Sequence, residues 1–158
     1  MQELASDTDP EVAALEMLTR VLVGLAWNSA HAAPSGLSFS QFRLLLVLHH
    51  LGRVPSSRLA AALGVNASTV TRLADKLVTS GYLERGADER NRAVVTVEVT
   101  ETGRTVVAQV LAVRQIALRD ALDRMPEQTR ASVVDGARQF CATAADVPAL
   151  HWTGPGPL

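Results

Sequence analysis

The chain contains few of the residues that stabilise small proteins through cross-links or large side chains. Aromatic residues make up 4% of its 158 residues, and it has a single cysteine, Cys141. One cysteine cannot form an internal disulfide, which is typical of proteins in a reducing compartment. Because aromatic rings are scarce, the core must be built from Leu, Val and Ala, and this composition favours helices.

Sequence features of secretion, membrane insertion and catalysis are also missing. No apolar run approaches the roughly 20 residues of a membrane span, and the N-terminal residues lack the pattern of a signal peptide. The four histidines are scattered, without metal-ligand spacing. The sequence contains no nucleophile elbow, no Gly-rich phosphate-binding loop and no paired carboxylates. We therefore expect a cytoplasmic protein that uses no cofactor or metal, contacts no membrane and is not an enzyme.

Charge is unevenly distributed along the chain, although the net value is only −1. Residues 40–104 contain nine basic and six acidic residues, whereas the remainder contains six basic and ten acidic residues. A basic middle between acidic ends is typical of a protein with one face for a polyanion. A near-zero net charge therefore does not exclude nucleic acid as the partner.

Hydrophobic spacing and capping residues predict a mainly helical chain with one small β-hairpin. Ser40, Asn66 and Thr100 can each cap a helix. A strand-like segment at 82–85, followed by strict alternation at 93–99, predicts a two-stranded hairpin. The predicted helices cover about residues 11–31, 41–51, 56–63, 67–80, 101–124 and 127–145.

Residues 56–85 have the pattern of a helix-turn-helix that leads into the hairpin. Ala60 lies where the two helices come closest, and Gly64 occupies the turn, where a positive φ is often required. The apolar residues predicted to fix the crossing angle are Leu59, Leu63, Val65, Val70 and Leu73. Helix, short turn, helix and hairpin, in this order, predict a winged helix-turn-helix head.

The second helix of this pair has a polar face suited to duplex DNA. Its predicted inward residues are Val70, Leu73, Ala74 and Leu77. The candidate DNA contacts on the opposite face are Ser68, Thr69, Thr71, Arg72 and Lys76. Hydroxyls and a guanidinium near a helix N-terminus can reach base edges and phosphates in the major groove. Ser68 can equally take part in capping the helix, so its role stays open.

These motifs resemble those of the MarR family of bacterial transcriptional regulators, and the resemblance covers about residues 11–146. Its specific part is "GYLER" at 81–85, "DERNR" at 88–92 and "VTETG" at 99–103. Val99 stands where the family usually has Leu. The resemblance implies that the hairpin is a wing which contacts DNA.

The tip of this wing departs further from the family pattern. Asn91 replaces a second Asp that is common in the family, and Ala93 replaces a further Arg. The resemblance implies that Arg90 or Arg92 reaches the minor groove or a phosphate, and that Asp88 orients one of them. Which arginine has this role stays open. The strand that follows is expected to anchor the wing through Val95, Val97 and Val99.

A homodimer is expected from the resemblance and from the residues themselves. The helical regions outside the head offer more apolar surface than one winged head can cover. The resemblance implies intertwined terminal helices and two heads that read a pseudo-palindromic operator in double-stranded DNA. The expected regions are a polar leader (1–10), an N-terminal dimerisation helix (11–35), a DNA-binding head (36–100), C-terminal dimerisation helices (101–146) and a flexible tail (147–158).

Regulation by a small molecule is a further expectation from the resemblance. The family consists mostly of repressors, and its members commonly bind small aromatic or phenolic effectors between the dimer body and the head. Candidate effector contacts in this chain are Trp27, His31, Phe42, Arg43 and His49. A structural role in the core is the simpler interpretation of each one.

Two alternatives to an effector-controlled DNA-binding regulator remain from the sequence. A winged helix can serve as a protein-interaction module, although such a module would not need the cluster of basic residues on the head. The chain can also be a redox-responsive regulator that acts through Cys141. Because Cys141 follows Phe140 and is surrounded by alanines, we expect it to be buried as a small hydrophobe.

Overall fold

The structure, a computed structural model, describes residues 9–34, 37–88 and 91–144. The elements in these ranges are α1 (Pro10–Ala30), α2 (Phe39–Leu51), β1 (Val54–Pro55), α3 (Ser56–Leu63), α4 (Ala67–Thr79), β2 (Leu83–Ala87), β3 (Val95–Val99), α5 (Glu101–Asp123) and α6 (Glu127–Ala144). The helices agree with the sequence prediction to within two residues at each end. Arg90, most of the predicted leader and the predicted tail lie outside the described residues.

Capping side chains determine where several helices begin. Asn66 and Thr100 cap α4 and α5 through their side-chain oxygens, as predicted. The prediction that Ser40 caps α2 is wrong. The hydroxyl of Ser38 accepts the backbone N–H of Gln41, and the Gln41 side chain accepts the backbone N–H of Ser38. This reciprocal pair starts α2 two residues earlier than predicted.

The turn between α3 and α4 has the geometry that its residues predict. Gly64 lies in the left-handed region, with φ 64° and ψ 32°. Ala60 is only 7% exposed, and its carbonyl oxygen accepts the backbone N–H of Val65 at 3.2 Å. A larger residue at Ala60 would push the helices apart, and a side chain at Gly64 would strain the turn. The two residues therefore fix the angle at which α4 leaves α3.

The core of the head lies between α2, α3, α4 and the sheet. On α2, four side chains are buried, namely Phe42, Leu44, Leu45 and Leu48. On α4, Val70, Ala74 and Leu77 are buried and Leu73 is half-buried, as predicted. Burying a Leu or Val side chain contributes roughly 1.5–3 kcal/mol. The face of α4 opposite to these residues is left free for solvent or a partner.

The sheet has three strands in the order β1-β3-β2, all antiparallel, and not two as predicted. The short strand β1 pairs with β3 through Val54 and Pro55. It was missed because two residues are too few for an alternating pattern. Val97 and Val99 anchor β3 in the core, but Val95 is 52% exposed, so the expectation that it anchors the wing is wrong. The hairpin has already left the core at that position.

Helices α1, α5 and α6, which precede and follow the head in the chain, are called the body here. Helix α1 packs against α5, and the half-buried Arg114 donates from Nε to the hydroxyl of Ser29 at 3.2 Å. Burial lowers the pKa of Arg114. Much of the apolar surface of the body is exposed, including Val12, Leu15, Met17, Leu18, Val21, Leu22, Val23, Val113, Ile116, Leu118, Val133 and Phe140. One chain alone leaves this surface uncovered.

Cys141 is exposed, which contradicts the expectation that it is buried. In α6, all of whose residues the structure describes, no side chain is buried, and Phe140 is 46% exposed. The end of α6 carries apolar residues such as Phe140, but α6 does not pack into the core of its own chain. Composition cannot distinguish a helix that packs inside one chain from a helix that presents its apolar side outward.

Candidate nucleic-acid interface

Helix α4 presents an exposed polar stripe on the side away from the core. Ser68, Thr71, Arg72 and Lys76 are exposed, and Thr69 is partly buried. At 3.6 residues per turn, Ser68, Thr71 and Arg72 lie on one side of the helix, and Lys76 follows Arg72 one turn later. Four of the five predicted DNA contacts on α4 therefore share one accessible surface, and the partly buried Thr69 lies at its edge.

Several hydroxyls at the start of α4 already have partners within the helix. Asn66 Oδ1 accepts the backbone N–H of Thr69 and the hydroxyl of Ser68, both at 2.9 Å. The hydroxyl of Thr71 donates to the carbonyl oxygen of Ala67 at 3.0 Å. The hydroxyl of Ser68 supports the cap by donating to Asn66, and its oxygen can still accept a hydrogen bond from a partner. The two roles considered for Ser68, capping and DNA contact, are therefore compatible. Among the predicted contacts, the basic side chains Arg72 and Lys76 are the longest that project from this surface.

The tip of the hairpin is closed by side chains that bond to the backbone. Asp88 Oδ1 accepts the backbone N–H of Asn91, and Asn91 Oδ1 accepts the backbone N–H of Ala93, both at 3.1 Å. Asn91, a departure from the family pattern, is therefore a turn-forming residue here. Asp88 thus helps to form the turn, and its expected role in orienting an arginine stays a prediction. Arg92 is exposed at the tip.

An ion pair between the recognition helix and the hairpin was missed by the sequence analysis. Arg85 Nη2, on β2, donates to Asp75 Oδ1, on α4. Both side chains are about half exposed, at 43% and 53%. The residues are ten positions apart and on different elements, so no sequence spacing rule connects them. The only feature of the sequence that pointed to this ion pair was Asp75, an acidic residue within a stripe of basic and polar residues on α4.

A second ion pair lies on the opposite face of the hairpin. Arg53 Nε is 3.4 Å from Glu98 Oε2, on β3. The guanidinium of Arg53 also covers Gly86, where an added Cβ would lie 3.2 Å from Arg53 Cζ and 3.2 Å from the hydroxyl of Thr96. Gly86 therefore provides the space that Arg53 occupies on the sheet.

The predicted effector contacts do not form one site. Trp27 and His31 line a crevice of about 350 Å³ together with Phe39, whose ring centre is 5.2 Å from that of Trp27. Phe42 is 2% exposed, so it belongs to the core and cannot line the crevice. Phe39 is the aromatic residue of α2 that lines the crevice, and Phe42 has the core role that was the simpler interpretation of its position in the sequence.

The other two predicted effector contacts, Arg43 and His49, also lie outside the crevice. Arg43 Nη2 donates to the carbonyl oxygen of Leu63 at 3.1 Å, which ties α2 to the end of α3. His49 is half-buried near the end of α2 and does not line the crevice. Its pKa is lowered by burial first, then by the neighbouring His50 and by Arg104. In the described ranges, no group of His, Cys, Asp and Glu residues could hold a metal ion.

Within the parts of the chain that the structure describes, no helix is both long and apolar enough to cross a membrane.

Comparison with known proteins agrees with the winged helix-turn-helix geometry of the head. A model of the MarR family matches residues 35–93. These residues include α2, α3, α4 and the first strand of the hairpin. The match therefore covers the helix-turn-helix and reaches the tip of the wing.

Relatives and solved structures extend the similarity over most of the chain. The uncharacterized HTH-type transcriptional regulator YfiV of Bacillus subtilis is 24% identical over 135 residues, which are 85% of this chain and 84% of the relative. The crystal structure of RV1404 from Mycobacterium tuberculosis has a TM-score of 0.78 and 26% identity, and it covers 92% of this chain and 99% of its own. Streptococcus pneumoniae FabT, in complex with DNA, has a TM-score of 0.68 and 23% identity, covering 87% and 96%.

Three findings agree with the winged helix-turn-helix geometry. They are the family match to the head, the similarity to a regulator along the chain and the common fold. This family and fold are those of transcriptional regulators and not of enzymes. The head of the chain therefore matches the MarR family of transcriptional regulators, and the chain as a whole has the winged helix-turn-helix fold of such regulators.

Proposed function

We propose that this protein is a homodimeric repressor that reads a pseudo-palindromic operator through α4 and the wing. The observation that carries the proposal is the exposed stripe of hydroxyls and basic groups on α4, which lies beside the projecting hairpin. A helix of this kind fits the major groove, where side chains near its N-terminus meet base edges. FabT, a protein of similar fold, has been solved in complex with DNA, and this supports the same use of the head.

The proposed contacts have different roles. Arg72 and Lys76 supply positive charge for phosphates or, in the case of Arg72, for a guanine edge. The hydroxyls Ser68, Thr69 and Thr71 contact bases or phosphates at the N-terminal end of α4. In the wing, Arg92, with Arg90, contacts the minor groove or the adjacent phosphates, and Asp88 shapes the tip that carries them.

Dimerisation is proposed because of the apolar surface of the body. Large hydrophobic side chains on α1, α5 and α6 are exposed in a single chain, among them Met17, Ile116 and Phe140. Monomeric soluble proteins rarely expose a contiguous apolar patch of more than a few hundred Å². A second copy that covers this surface would place two heads on one duplex, with half-sites about one helical turn apart.

A small aromatic effector is proposed to bind the crevice beside Trp27, His31 and Phe39. The crevice volume of about 350 Å³ is within the range of small-molecule sites, and it lies where α1 of the body meets α2 of the head. A ligand there could change the angle between body and head. Loss of operator affinity when the ligand binds would define it as an inducer.

Binding to duplex DNA at several salt concentrations tests the proposed function. The probe is a duplex selected by the protein from a random-sequence pool. Affinity should fall steeply with salt, since each phosphate contact releases counterions with a slope of about 0.9 per contact. Arg72→Ala should weaken binding and, in a dimer, reduce the slope by about two.

Arg20→Ala provides a matched control, because Arg20 is an exposed arginine on α1, away from the head. Its affinity and salt slope should equal those of the wild type. If the wild-type protein selects no duplex, or if its binding does not depend on salt, the proposal is wrong. In that case, the alternative of a protein-interaction module becomes the better account of the winged head.

A further inference from the structure

We propose that the Asp75–Arg85 ion pair is a positioning device that sets the angle of the wing against the recognition helix. In this role Arg85 acts through the wing and is not itself a phosphate contact. The inference rests on the proposed function, because it concerns how the two DNA-reading parts of one head are held relative to each other.

The two partners belong to the two parts that must be aligned. Asp75 lies on the same side of α4 as Ser68, Thr71 and Arg72, one turn beyond the latter two. Arg85 lies in β2, two residues after Leu83, so both side chains point to the same face of the strand. Leu83 is buried, so this face is directed toward the core, and Arg85 meets α4 there through Asp75. The ion pair therefore connects the DNA-facing stripe directly to the wing.

The contact lies at the outer limit of the packed part of the hairpin. Leu83 pairs with Val99, and both are buried. Arg85 pairs with Val97, which is fully buried. The next pair on this face, Ala87 and Val95, is exposed. On this face, the Asp75–Arg85 contact is therefore the attachment to the head that lies nearest to the tip. A small change at this contact moves the tip by a larger distance.

Charge supplies a second reason for the pair. A carboxylate on a DNA-facing stripe repels phosphate, and a nearby guanidinium compensates that charge. An ion pair between half-exposed groups contributes little to stability, because solvent screens both charges. Asp75 and Arg85 are therefore not needed to hold the fold together, and their contact matters for the relative orientation of α4 and β2.

The opposite face of the hairpin is held as well. Arg53, just before β1, pairs with Glu98 and occupies the space above Gly86. The wing thus has an ion pair on each face, one to α4 and one to the residue before β1. Because the two restraints oppose each other, loss of Arg85 or Asp75 frees the wing to tilt toward the Arg53 side.

Asp75→Asn gives the sharpest test, because two effects predict opposite signs. Removing a negative charge from a DNA-facing surface by itself raises the affinity for DNA. If Asp75 positions the wing, the affinity for the selected duplex should instead fall about fivefold, a typical size for coupling between contacting residues. Arg85→Gln should cause a similar fall. The double variant should be no weaker than either single variant, because the lost contact is the same.

Glu84→Gln is the matched control, since Glu84 is an exposed acid on the opposite face of the same strand. It should leave affinity unchanged or raise it slightly. All variants should keep the wild-type melting temperature, which separates repositioning from unfolding. The salt slope of Arg85→Gln should equal that of Asp75→Asn, because both variants lose the same ion pair and Arg85 makes no phosphate contact of its own.

Two results would overturn the proposal without touching the proposed function. One is that Asp75→Asn binds the selected duplex as tightly as the wild type, or more tightly. The other is that Arg85→Gln lowers the salt slope by about two more than Asp75→Asn does, which would make Arg85 a direct phosphate contact in each half of a dimer. A wild-type protein that selects no duplex would instead contradict the proposed function itself.

Discussion

Gly103 in the first turn of α5 packs directly against the backbone carbonyl of Tyr82, at the root of the wing. A Cβ added at Gly103 would collide with the carbonyl oxygen of Tyr82 and would lie 2.7 Å from Val99 Cγ1. The same carbonyl accepts the backbone N–H of Thr100 at 3.1 Å, and the Thr100 hydroxyl donates to the carbonyl oxygen of Gly81 at 2.7 Å. The long helix of the body is therefore joined to the wing through backbone contacts.

Gly103→Ala should destabilise the protein by about 1–3 kcal/mol, because the clash is with rigid backbone and not with a flexible side chain. The gain in helix propensity, about 1 kcal/mol, offsets only part of this cost. Urea unfolding measures the difference. Gly24→Ala is the control, since a Cβ in that position of α1 meets nothing within 4 Å. Equal stability of both variants would contradict the close approach seen at Gly103.

Thr96→Val should stabilise the protein. The Thr96 side chain is buried, and among the described residues its hydroxyl has no hydrogen-bond partner. Replacing an unsatisfied hydroxyl by a methyl group of similar shape removes a desolvation cost of about 1 kcal/mol or more. Thermal unfolding should show a higher midpoint for Thr96→Val, whereas Thr96→Ser should not raise it. A lower midpoint for the Val variant would indicate that the hydroxyl is in fact satisfied.

The stability of the head should decrease as the pH falls through the range in which His49 titrates. The folded-state pKa of His49 is lowered, so the unfolded chain binds a proton at this site more readily than the folded chain does. The free energy of unfolding therefore declines from above the unfolded pKa of about 6.5 down through the lowered folded value. Urea midpoints at about pH 7.5 and pH 5.5 should differ less in His49→Gln than in the wild type. The exposed His31→Gln serves as the control, and an identical pH response of wild type and His49→Gln would contradict the prediction.

Ile116→Glu should convert a dimer into a monomer at micromolar concentration. Ile116 is 62% exposed in one chain, and a charge buried in an apolar interface costs several kcal/mol. Sedimentation equilibrium distinguishes the two states. Thr105→Glu adds the same charge near the beginning of α5, at an exposed position, and should remain dimeric. A wild-type protein that is itself monomeric would refute the proposed homodimer.

Local patterns in the sequence were sufficient to predict the helices and the helix-turn-helix. The cap at Asn66, the left-handed Gly64 and the inward residues of α4 depend on neighbours within a few positions, so they can be derived from sequence alone. The strand β1 could not, because its two residues become a strand only when β3 is alongside. Exposure of Val95 likewise depends on how far the hairpin projects from the core.

Long-range contacts limited the prediction of the candidate site in the same way. The stripe on α4 follows from helical periodicity, and the structure brings its predicted members together. The pairing of Asp75 with Arg85 depends on where β2 crosses α4, which no local pattern encodes. The crevice combines Trp27 and His31 with Phe39 and not with Phe42, because Phe42 is buried in the core of the head.

The two edges of the sheet, formed by β1 and β2, are poorly suited to pairing with another chain. Open sheet edges offer unpaired N–H and C=O groups on which another chain can add a strand. Here one edge strand is only two residues long and ends in Pro55, which has no N–H to donate, and the other edge carries the charged Glu84 and Arg85. The wing can project far into solvent and still resist edge-to-edge aggregation when many heads crowd along one stretch of DNA.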